Sequence, residues 1–304
     1  MTSSDQPGTP TASGDAEPLL EARDLNVAYG GVVALRDVSV TIRPGEVLGV
    51  IGPNGAGKTT FFNVACGFVR PDSGTISWKG RPLEQHRPHD LAGLGIGRTL
   101  QGLGLFHRMT VLENVMVGAD RHARTGFLAG LLALPRGHRD ERALRERALA
   151  ALEELGIARE AGRLPESLPY PVRKRVALAR AIVGEPELLL LDEPASGLSN
   201  AETDELGELI ADLRRHRSVM LVEHHMDLVM AVCDRLVVLD FGRVIASGRP
   251  DEVRSDPAVL AAYLGESSES RTPPPATPAP TPGTPPAPGT PPAPAKGVEH
   301  ARGA

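Results

Sequence analysis

The chain has few of the residues that mark several common protein classes. Among its 304 residues are only two cysteines, Cys66 and Cys233, which form no CxxC pair, so neither a disulfide framework nor a zinc site is expected. No apolar run approaches the ~18–20 residues of a membrane-spanning helix. The formal net charge of -5 is too near neutrality for a dedicated nucleic-acid binder. The composition therefore predicts a soluble or peripheral protein.

Both ends differ in composition from the middle. Residues 1–17 contain no basic residue and three acids, which does not fit the basic start and apolar stretch of a secretory signal. Residues 266–304 hold 12 of the 28 prolines, in repeated Thr-Pro, Pro-Pro and Ala-Pro steps. A segment of either composition has too few apolar residues to form a buried core. We expect two disordered ends, 1–17 and 266–304, on either side of one domain at 18–265.

Three short apolar runs predict buried strands. They are Glu46–Ile51, Leu188–Leu191 and Val219–Val222. Nearly continuous apolar composition is typical of strands that are covered on both faces of a parallel sheet. Between the last two runs, 201–217 has apolar residues at the spacing of one helix face, and another helix is expected at about 58–68. Strands that alternate with helices predict an α/β core.

The middle of the chain has a different pattern, because strand signals are missing from about residue 101 to 184. Apolar residues recur there at helical spacing in two stripes, which end at Gly156 and Gly184 as helices often do. The stripes are Leu144, Ala148, Leu152 and Leu155, followed by Val172, Val176, Ala179 and Val183. We expect a helical subdomain at about 101–184, inserted into a core made of 18–100 and 185–265.

A glycine-rich loop after the first run matches the pattern G-x-x-x-x-G-K-[ST], and it lies between a predicted strand and a predicted helix as that motif requires. Its backbone N–H groups are expected to point at phosphate oxygens, and the helix N-terminus adds its positive dipole end. Lys58 is expected to neutralise phosphate charge and Thr59 to bind Mg²⁺. The predicted binding residues are Gly52, Pro53, Asn54, Gly55, Ala56, Gly57, Lys58, Thr59 and Thr60.

Two acids, Asp192 and Glu193, follow the run of four leucines. They are expected at the C-terminal end of that strand, where open parallel sheets bind ligands. Asp192 suits a magnesium contact, and Glu193 suits a general base that activates the attacking water. Two acids at a strand end can instead cap the next helix, but the phosphate loop upstream favours the catalytic interpretation.

These motifs resemble those of the nucleotide-binding subunits of ABC transporters, with the glycine-rich loop as Walker A and Leu188–Glu193 as Walker B. The resemblance implies an α/β fold of the P-loop NTPase class. Its core would be a mainly parallel sheet with an inserted α-helical subdomain and an antiparallel β edge. The resemblance also implies an ATPase that binds ATP and Mg²⁺.

Four further positions match the family in its order along the chain. Tyr29 resembles the aromatic residue that stacks on adenine, with a core tyrosine as the alternative. Gln101 is similar to the Q-loop glutamine, which reaches the metal and the attacking water, and nearby glycines indicate a hinge. Ser196–Ser199 occupies the D-loop position and His224 the switch-histidine position. The resemblance thus implies catalytic roles for Glu193, His224 and Gln101, and Mg²⁺ contacts for Thr59, Gln101 and Asp192.

Within that family the chain most resembles the branched-chain amino acid transport ATPases of bacteria, and the longer of that system's two cassette subunits. The resemblance covers essentially 18–265 and rests on Leu35–Ser39, Gly95–Thr99, Leu105–Val115, Leu221–Asp227 and Gly248–Gly265. It implies membrane permease subunits, a second ATP-binding cassette subunit and, indirectly, an extracytoplasmic solute-binding protein as partners, and no nucleic acid. The location implied is the cytoplasmic face of the plasma membrane. Urea and related amides stay open as alternative solutes.

The chain departs from the family pattern at one motif. Where the signature Leu-Ser-Gly-Gly-Gln is expected, it has Leu168, Pro169, Tyr170, Pro171 and Val172. In the family, two subunits enclose two ATP molecules, and the signature of one contacts the γ-phosphate held by the other. Pro169 lacks the serine hydroxyl and Pro171 lacks a backbone N–H, although Pro171 suits the first position of a helix. We expect one impaired ATP site and therefore a heterodimer with a second cassette.

Other functions remain as alternatives. A regulatory or scaffold ABC protein with little hydrolysis fits the altered signature, but Glu193 and His224 argue against it because neither is needed merely to hold ATP. An ABC protein that acts on ribosomes or DNA predicts a tandem cassette, a long coiled coil or a basic surface. A GTPase predicts an Asn-Lys-x-Asp segment. The sequence contains none of these features.

Overall fold

The computed structural model describes residues 17–83, 86–99, 102–119 and 135–269, with the backbone alone described for 135–140 and 264–269. Residues 1–16 and 270–304, which belong to the predicted disordered ends, lie outside these ranges, as does Gln101. The last helix ends at Glu269, inside the segment 266–304 predicted as a tail. Within the described ranges, no helix is long and apolar enough to cross a membrane.

The first half of the chain contains most of the strands and begins with three in succession. Its elements are β1 (Leu20–Tyr29), β2 (Val32–Ile42), β3 (Val47–Ile51), α1 (Lys58–Ala65), β4 (Ser73–Trp78), β5 (Arg81–Pro82), α2 (Leu91–Leu94), β6 (Ile96–Arg98) and α3 (Val111–Gly118). The second half begins with two long helices. Its elements are α4 (Pro135–Glu154), α5 (Tyr170–Ile182), β7 (Leu188–Asp192), α6 (Asn200–Leu213), β8 (Ser218–Val222), α7 (Met226–Val232), β9 (Arg235–Asp240), β10 (Arg243–Gly248), α8 (Pro250–Arg254) and α9 (Pro257–Glu269).

The central sheet has six strands in the order β10-β9-β3-β8-β7-β6. The pairs from β9 to β6 are parallel, and β10 is antiparallel at one edge. A second sheet, β2-β1-β4-β5, is antiparallel throughout. Every residue of β3 and of β8 is buried, as expected for strands covered on both faces. The predicted α/β class with a mainly parallel sheet and an antiparallel edge is confirmed.

Alternating residues of the same strands face two different cores. In β7, Leu189 and Leu191 face the core that contains the helical subdomain, whereas Leu188 and Leu190 face the core that contains the antiparallel sheet and α1. This division follows from the side-chain period of two in a strand. Phe61 of α1 is fully buried in the second core. The sheet therefore holds the two parts of the molecule together.

The helical subdomain packs against one face of the sheet through the two stripes predicted from the sequence. Ala148 and Leu152 of α4 and Val176 and Ala179 of α5 are all buried in the first core. Helix α4 ends at Glu154, and Gly156 has a positive φ of 70°, as predicted for its C-terminal cap.

Helix α1 is shorter than predicted. It ends at Ala65, not near residue 68, because Gly67 has a φ of 73° and donates its N–H to the carbonyl of Val64. A Cβ atom at Gly67 would lie 2.6 Å from the carbonyl oxygen of His86. Close packing of the chain around residue 86 therefore requires glycine here and stops the helix.

The hairpin between β9 and β10 contains an uncommon backbone conformation. Asp240 pairs with Arg243, so the loop is only Phe241 and Gly242, and their φ angles are 42° and 75°. Two positive φ angles in a two-residue loop define a type I′ turn, which favours Asn-Gly. Phe241 is also 83% exposed. The backbone conformation of Phe241 is therefore strained, and burial of its side chain contributes little free energy to the folded state.

We predict that Phe241→Asn stabilises the protein. Asparagine tolerates the left-handed region, so the variant should gain about 1 kcal/mol, which raises Tm by about 2–4 °C in a domain of this size. Thermal unfolding by circular dichroism is the measurement. Phe241→Ala is the matched control, because it removes the ring but keeps the strained φ, and it should leave Tm nearly unchanged. Equal Tm gains in both variants would show that exposure of the ring, not the φ angle, limits stability.

Candidate functional site

The loop at residues 52–57 joins β3 to α1 at the C-terminal edge of the parallel sheet. Gly52 and Gly57 have φ angles of 148° and 101°, which favour glycine. A Cβ atom on Gly57 would lie 2.6 Å from the carbonyl oxygen of Ala34, and one on Gly52 would clash with the carbonyl of Leu239. The glycines therefore allow the loop to pack closely against the backbone of Ala34 and Leu239.

Lys58 lies at the start of α1 with its side chain 8% exposed. Its ammonium group donates hydrogen bonds to the carbonyl oxygens of Gly52, at 2.6 Å, and Pro53, at 2.8 Å. These two hydrogen bonds hold the Lys58 ammonium against the backbone of the loop. Thr59, which is exposed, and Thr60 complete the first turn of the helix. A cation, backbone N–H groups and a helix N-terminus in one place form a site for an anion such as phosphate.

The end of β7 lies beside this loop. Asp192 is the last residue of the strand, and its pKa is raised to about 6, first by burial and then by the carboxylates of Glu193 and Glu223. The Lys58 ammonium is near enough to lower the same pKa. Hydroxyl and carboxylate oxygens are the ligands that Mg²⁺ prefers, so Thr59 and Asp192 fit a magnesium ion.

Glu193 and His224 face each other at the ends of β7 and β8. The Nδ1 atom of His224 lies 3.9 Å from Oε1 of Glu193, and both side chains are about half exposed. Glu193 has a φ of 45°, which is uncommon for a residue other than glycine, while its N–H donates to the carbonyl of Val222 at 2.9 Å. Such backbone strain is frequent at functional sites. The arrangement brings a carboxylate and an imidazole together where both can reach a ligand.

Glu223 belongs to this site but was missed by the motif analysis. Its carboxylate is fully buried and accepts hydrogen bonds from the backbone N–H groups of Ala195, His224 and His225, at 2.7, 2.9 and 3.2 Å. The signal that could have found it is the one used for Asp192, an acid directly after a buried strand. Glu223, His224 and His225 offer ligand atoms within 4.8 Å of one another, but the carboxylate is already occupied by N–H groups, so we assign no metal there.

The altered signature begins helix α5. Pro169 is the N-cap residue, Tyr170 is the first helical residue and Pro171 is the second, which corrects the prediction that Pro171 occupies the first position. First-turn N–H groups have no partner within a helix, so both prolines fit without breaking a hydrogen bond. Leu168 is buried and Val172 is partly buried against the core. The segment is therefore well folded.

The first turn of α5 contacts the segment that follows Glu193 in the same chain. The Tyr170 hydroxyl lies 3.5 Å from the carbonyl oxygen of Ser196, and the ring lies beside Gly197. The ammonium group of Lys174 donates to the carbonyl oxygen of Pro194 at 2.5 Å. A cavity of about 290 Å³ lies between α5 and this segment. The predicted signature and the predicted D-loop are thus neighbours.

The remaining predicted residues are placed as follows. Tyr29 ends β1 and is 50% exposed, which does not fit the alternative of a core tyrosine. Its stacking on adenine stays a prediction. Asn54, Gly55 and Ala56 lie within the loop between β3 and α1. Gln101 lies outside the described residues, so its proposed contact with metal and water also stays a prediction.

Comparison with known proteins gives a consistent result. Residues 35–196 match the ABC transporter family model, and residues 243–269 match the model for branched-chain amino acid ATP-binding cassette transporters. The chain is 43% identical over 254 residues, 83% of its length and 100% of the relative, to a high-affinity branched-chain amino acid transport ATP-binding protein of Salmonella typhimurium. A protein of Pseudomonas aeruginosa with the same description is 41% identical over the same coverage.

Solved structures resemble the fold as well. The ADP conformation of an ATP-binding cassette of an ABC transporter superposes with a TM-score of 0.70 at 30% identity, covering 82% of this chain and 99% of the other.

We predict that Asp192→Asn is more stable than the unmodified protein by an amount that grows as the pH rises. The pKa of Asp192 is about 6 in the folded chain and about 3.9 in an unfolded one. Between these values the folded state binds more protons, so the unmodified protein loses stability as the pH rises through this window. The variant cannot titrate there and is spared that loss. Thermal unfolding between about pH 4 and pH 8, in EDTA and without nucleotide, measures the difference.

The expected Tm difference is small near pH 4 and largest above about pH 6. Asp204→Asn, which changes an exposed carboxyl on α6, is the matched control and should show no such trend. A difference for Asp192→Asn that stays constant across the whole pH range would contradict the prediction.

Proposed function

The chain belongs to the ABC transporter family of ATP-binding cassette ATPases, and from that premise we propose that it is the ATP-hydrolysing subunit of a membrane importer. The observation that carries this proposal is the convergence of four side chains at one edge of the sheet: Lys58, Asp192, Glu193 and His224. A site that only held nucleotide would not need the last two. Their placement beside the phosphate loop supports hydrolysis.

In the proposed reaction, the loop N–H groups, the N-terminus of α1 and Lys58 hold the phosphates of ATP. Thr59, Asp192 and Gln101 would hold Mg²⁺, which neutralises charge on the phosphates when bound. Glu193 accepts a proton from water as the water oxygen forms a bond to the γ-phosphorus. The bond to the β-phosphate oxygen breaks, and ADP and phosphate leave. His224, whose Nδ1 atom lies 3.9 Å from Glu193, would contact the γ-phosphate of bound ATP.

We propose branched-chain or related amino acids as the transported solutes, with urea and amides as the alternative. Support comes from the match of residues 243–269 to a branched-chain amino acid transporter model and from the descriptions of the relatives. The chain would bind permease subunits at the cytoplasmic face of the plasma membrane, with Tyr29 stacked on the adenine of ATP. Movement would pass to the permeases near Gln101, and an extracytoplasmic binding protein would deliver the solute.

We further propose that the chain works in a heterodimer in which one ATP site is impaired. Serine and glycine donors that contact a γ-phosphate across the dimer are replaced by Pro169 and Pro171, which have neither a hydroxyl nor an N–H. Loss of two donors to a charged phosphate weakens a site by about 3–6 kcal/mol. A homodimer would carry this defect at both sites. A partner with an intact signature would restore the site formed by this chain's own loop.

The first test is Glu193→Gln. The variant should lose at least about 100-fold in ATP turnover, because the amide cannot accept the proton, while ATP binding stays within about twofold. Turnover is measured in the complex purified through a tag on this chain, and binding with a fluorescent ATP analogue. Glu208→Gln makes the same change on the exposed face of α6 and should leave both quantities unchanged. Undiminished turnover in Glu193→Gln would exclude the proposed mechanism, and slow single-turnover hydrolysis in every partner mixture would favour a regulatory scaffold.

The second test restores the signature with Pro169→Ser and Pro171→Gly together. ATPase activity of the chain purified alone should rise at least about tenfold, because both sites of its homodimer regain donors. The serine also supplies a side-chain cap to α5, which should add about 1 kcal/mol of stability. Pro169→Ala with Pro171→Gly is the control that restores the N–H groups without the hydroxyl, and it should recover less activity. Robust cooperative activity from the unmodified homodimer, abolished by Glu193→Gln, would refute the hetero-pairing.

A further inference from the structure

Glu223 is a charged side chain that is 0% exposed and has no role in the reaction steps proposed above. One carboxylate oxygen, Oε1, accepts the N–H of Ala195, and the other, Oε2, accepts the N–H groups of His224 and His225. A buried carboxylate is costly unless such donors satisfy it. The hydrogen bonds to Oε1 and Oε2 come from two different segments of the chain.

These two segments are the ones that carry the reacting groups. Ala195 lies two residues after Glu193, and His224 follows Glu223 directly. The facing side chains of Glu193 and His224 are 3.9 Å apart, which is too long for a hydrogen bond. The Nδ1 atom of His224 lies 3.7 Å from Oε2 of Glu223, which is also too long for a hydrogen bond. The placement of His224 therefore depends on the backbone of the two segments, which the carboxylate of Glu223 joins on both sides.

The same segment is held from the opposite direction by the helical subdomain. Lys174 of α5 donates to the carbonyl oxygen of Pro194, and the next residue, Ala195, donates to Glu223. A continuous series of contacts thus leads from the first turns of α5 through residues 194–195 and Glu223 to the backbone of His224. Both contacts on residues 194–195 are hydrogen bonds to a charged group, which are shorter and stronger than neutral ones.

We infer that Glu223 is a positioning residue that sets the placement of His224 relative to Glu193 and carries displacements of residues 194–199 to His224. This inference rests on the proposed ATPase function. It does not require Glu223 to touch ATP, water or metal. Its carboxylate acts through the backbone of the switch histidine.

A carboxylate is required here for a geometric reason. Two oxygens with free lone pairs can accept from three N–H groups at once. A glutamine offers one oxygen, and its amide NH₂ would point its own hydrogens at the remaining N–H donors. The isosteric change Glu223→Gln therefore releases at least one of the two segments without creating a cavity.

The test is ATP turnover of Glu223→Gln in the complex purified through a tag on this chain. We expect kcat to fall about tenfold to a hundredfold, with KM for MgATP within about twofold, because misplacement of a catalytic group affects the reaction more than nucleotide binding. Glu46→Gln is the matched control, since Glu46 is also a buried carboxylate but pairs with Arg235, remote from the phosphate loop. It should lower Tm and leave kcat unchanged. Equal kcat values in the two variants would overturn the inference.

A double-mutant cycle separates positioning from general loss of structure. In a His224→Ala background the histidine has no side chain to place, so Glu223→Gln should lower single-turnover hydrolysis no further. A full additional loss in that background would overturn the inference. If Glu223→Gln does not fold, Glu223→Asp, which keeps the charge but shortens the reach, replaces it and should show the same dependence on His224. Failure of Glu193→Gln to reduce turnover would instead reject the ATPase function itself.

Discussion

The parallel pairing of β3, β8 and β7 is the constraint on which the site depends. Val222 of β8 is the register partner of Val50 in β3 on one side and of Asp192 in β7 on the other. Since successive side chains of a strand alternate in direction, a shift of one residue in either pair would turn the site residues to the wrong face. The register therefore brings the phosphate loop, the pair Asp192–Glu193 and the pair Glu223–His224 to the same level along the strand direction, at the C-terminal edge of the sheet. The 3.9 Å separation of Glu193 and His224 depends on this alignment.

Much of this arrangement could be predicted from the sequence, because strand ends and loop glycines are local signals. The phosphate loop, Asp192 and Glu193 were found from an apolar run followed by a motif. Glu223 follows an equally clear run and was missed, since only the folded chain brings the N–H of Ala195 to its carboxylate. The end of α1 was misplaced for the same reason, because the contact between Gly67 and His86 is not encoded in the spacing of nearby residues.

The electrostatics of the site oppose the stability of the ligand-free fold. Asp192 lies near Glu193 and Glu223, and burial together with these two carboxylates raises its pKa. Lys58 offsets part of this repulsion, and Glu223 is stabilised by backbone N–H groups. A bound cation would relieve what remains, so the same carboxylates that cost stability give the site its affinity for a metal. Strain at Glu193, with a φ of 45°, is a second local cost of the same kind.

The N-termini of α1 and α5 illustrate how fold and function can separate. Helix α1 begins with Gly57 and Lys58, so first-turn N–H groups and the Lys58 ammonium, which donates to the carbonyl oxygens of Gly52 and Pro53, lie together at the loop. Helix α5 begins with Pro169 and Pro171, which satisfy the backbone equally well, because first-turn N–H groups have no partner inside a helix. The stability of the fold therefore does not distinguish the first turns of α1 and α5. An anion does distinguish them, because it needs N–H donors that proline lacks. A substitution that leaves the fold intact can therefore remove the donors that a phosphate would need, and folding stability gives no sign of that loss.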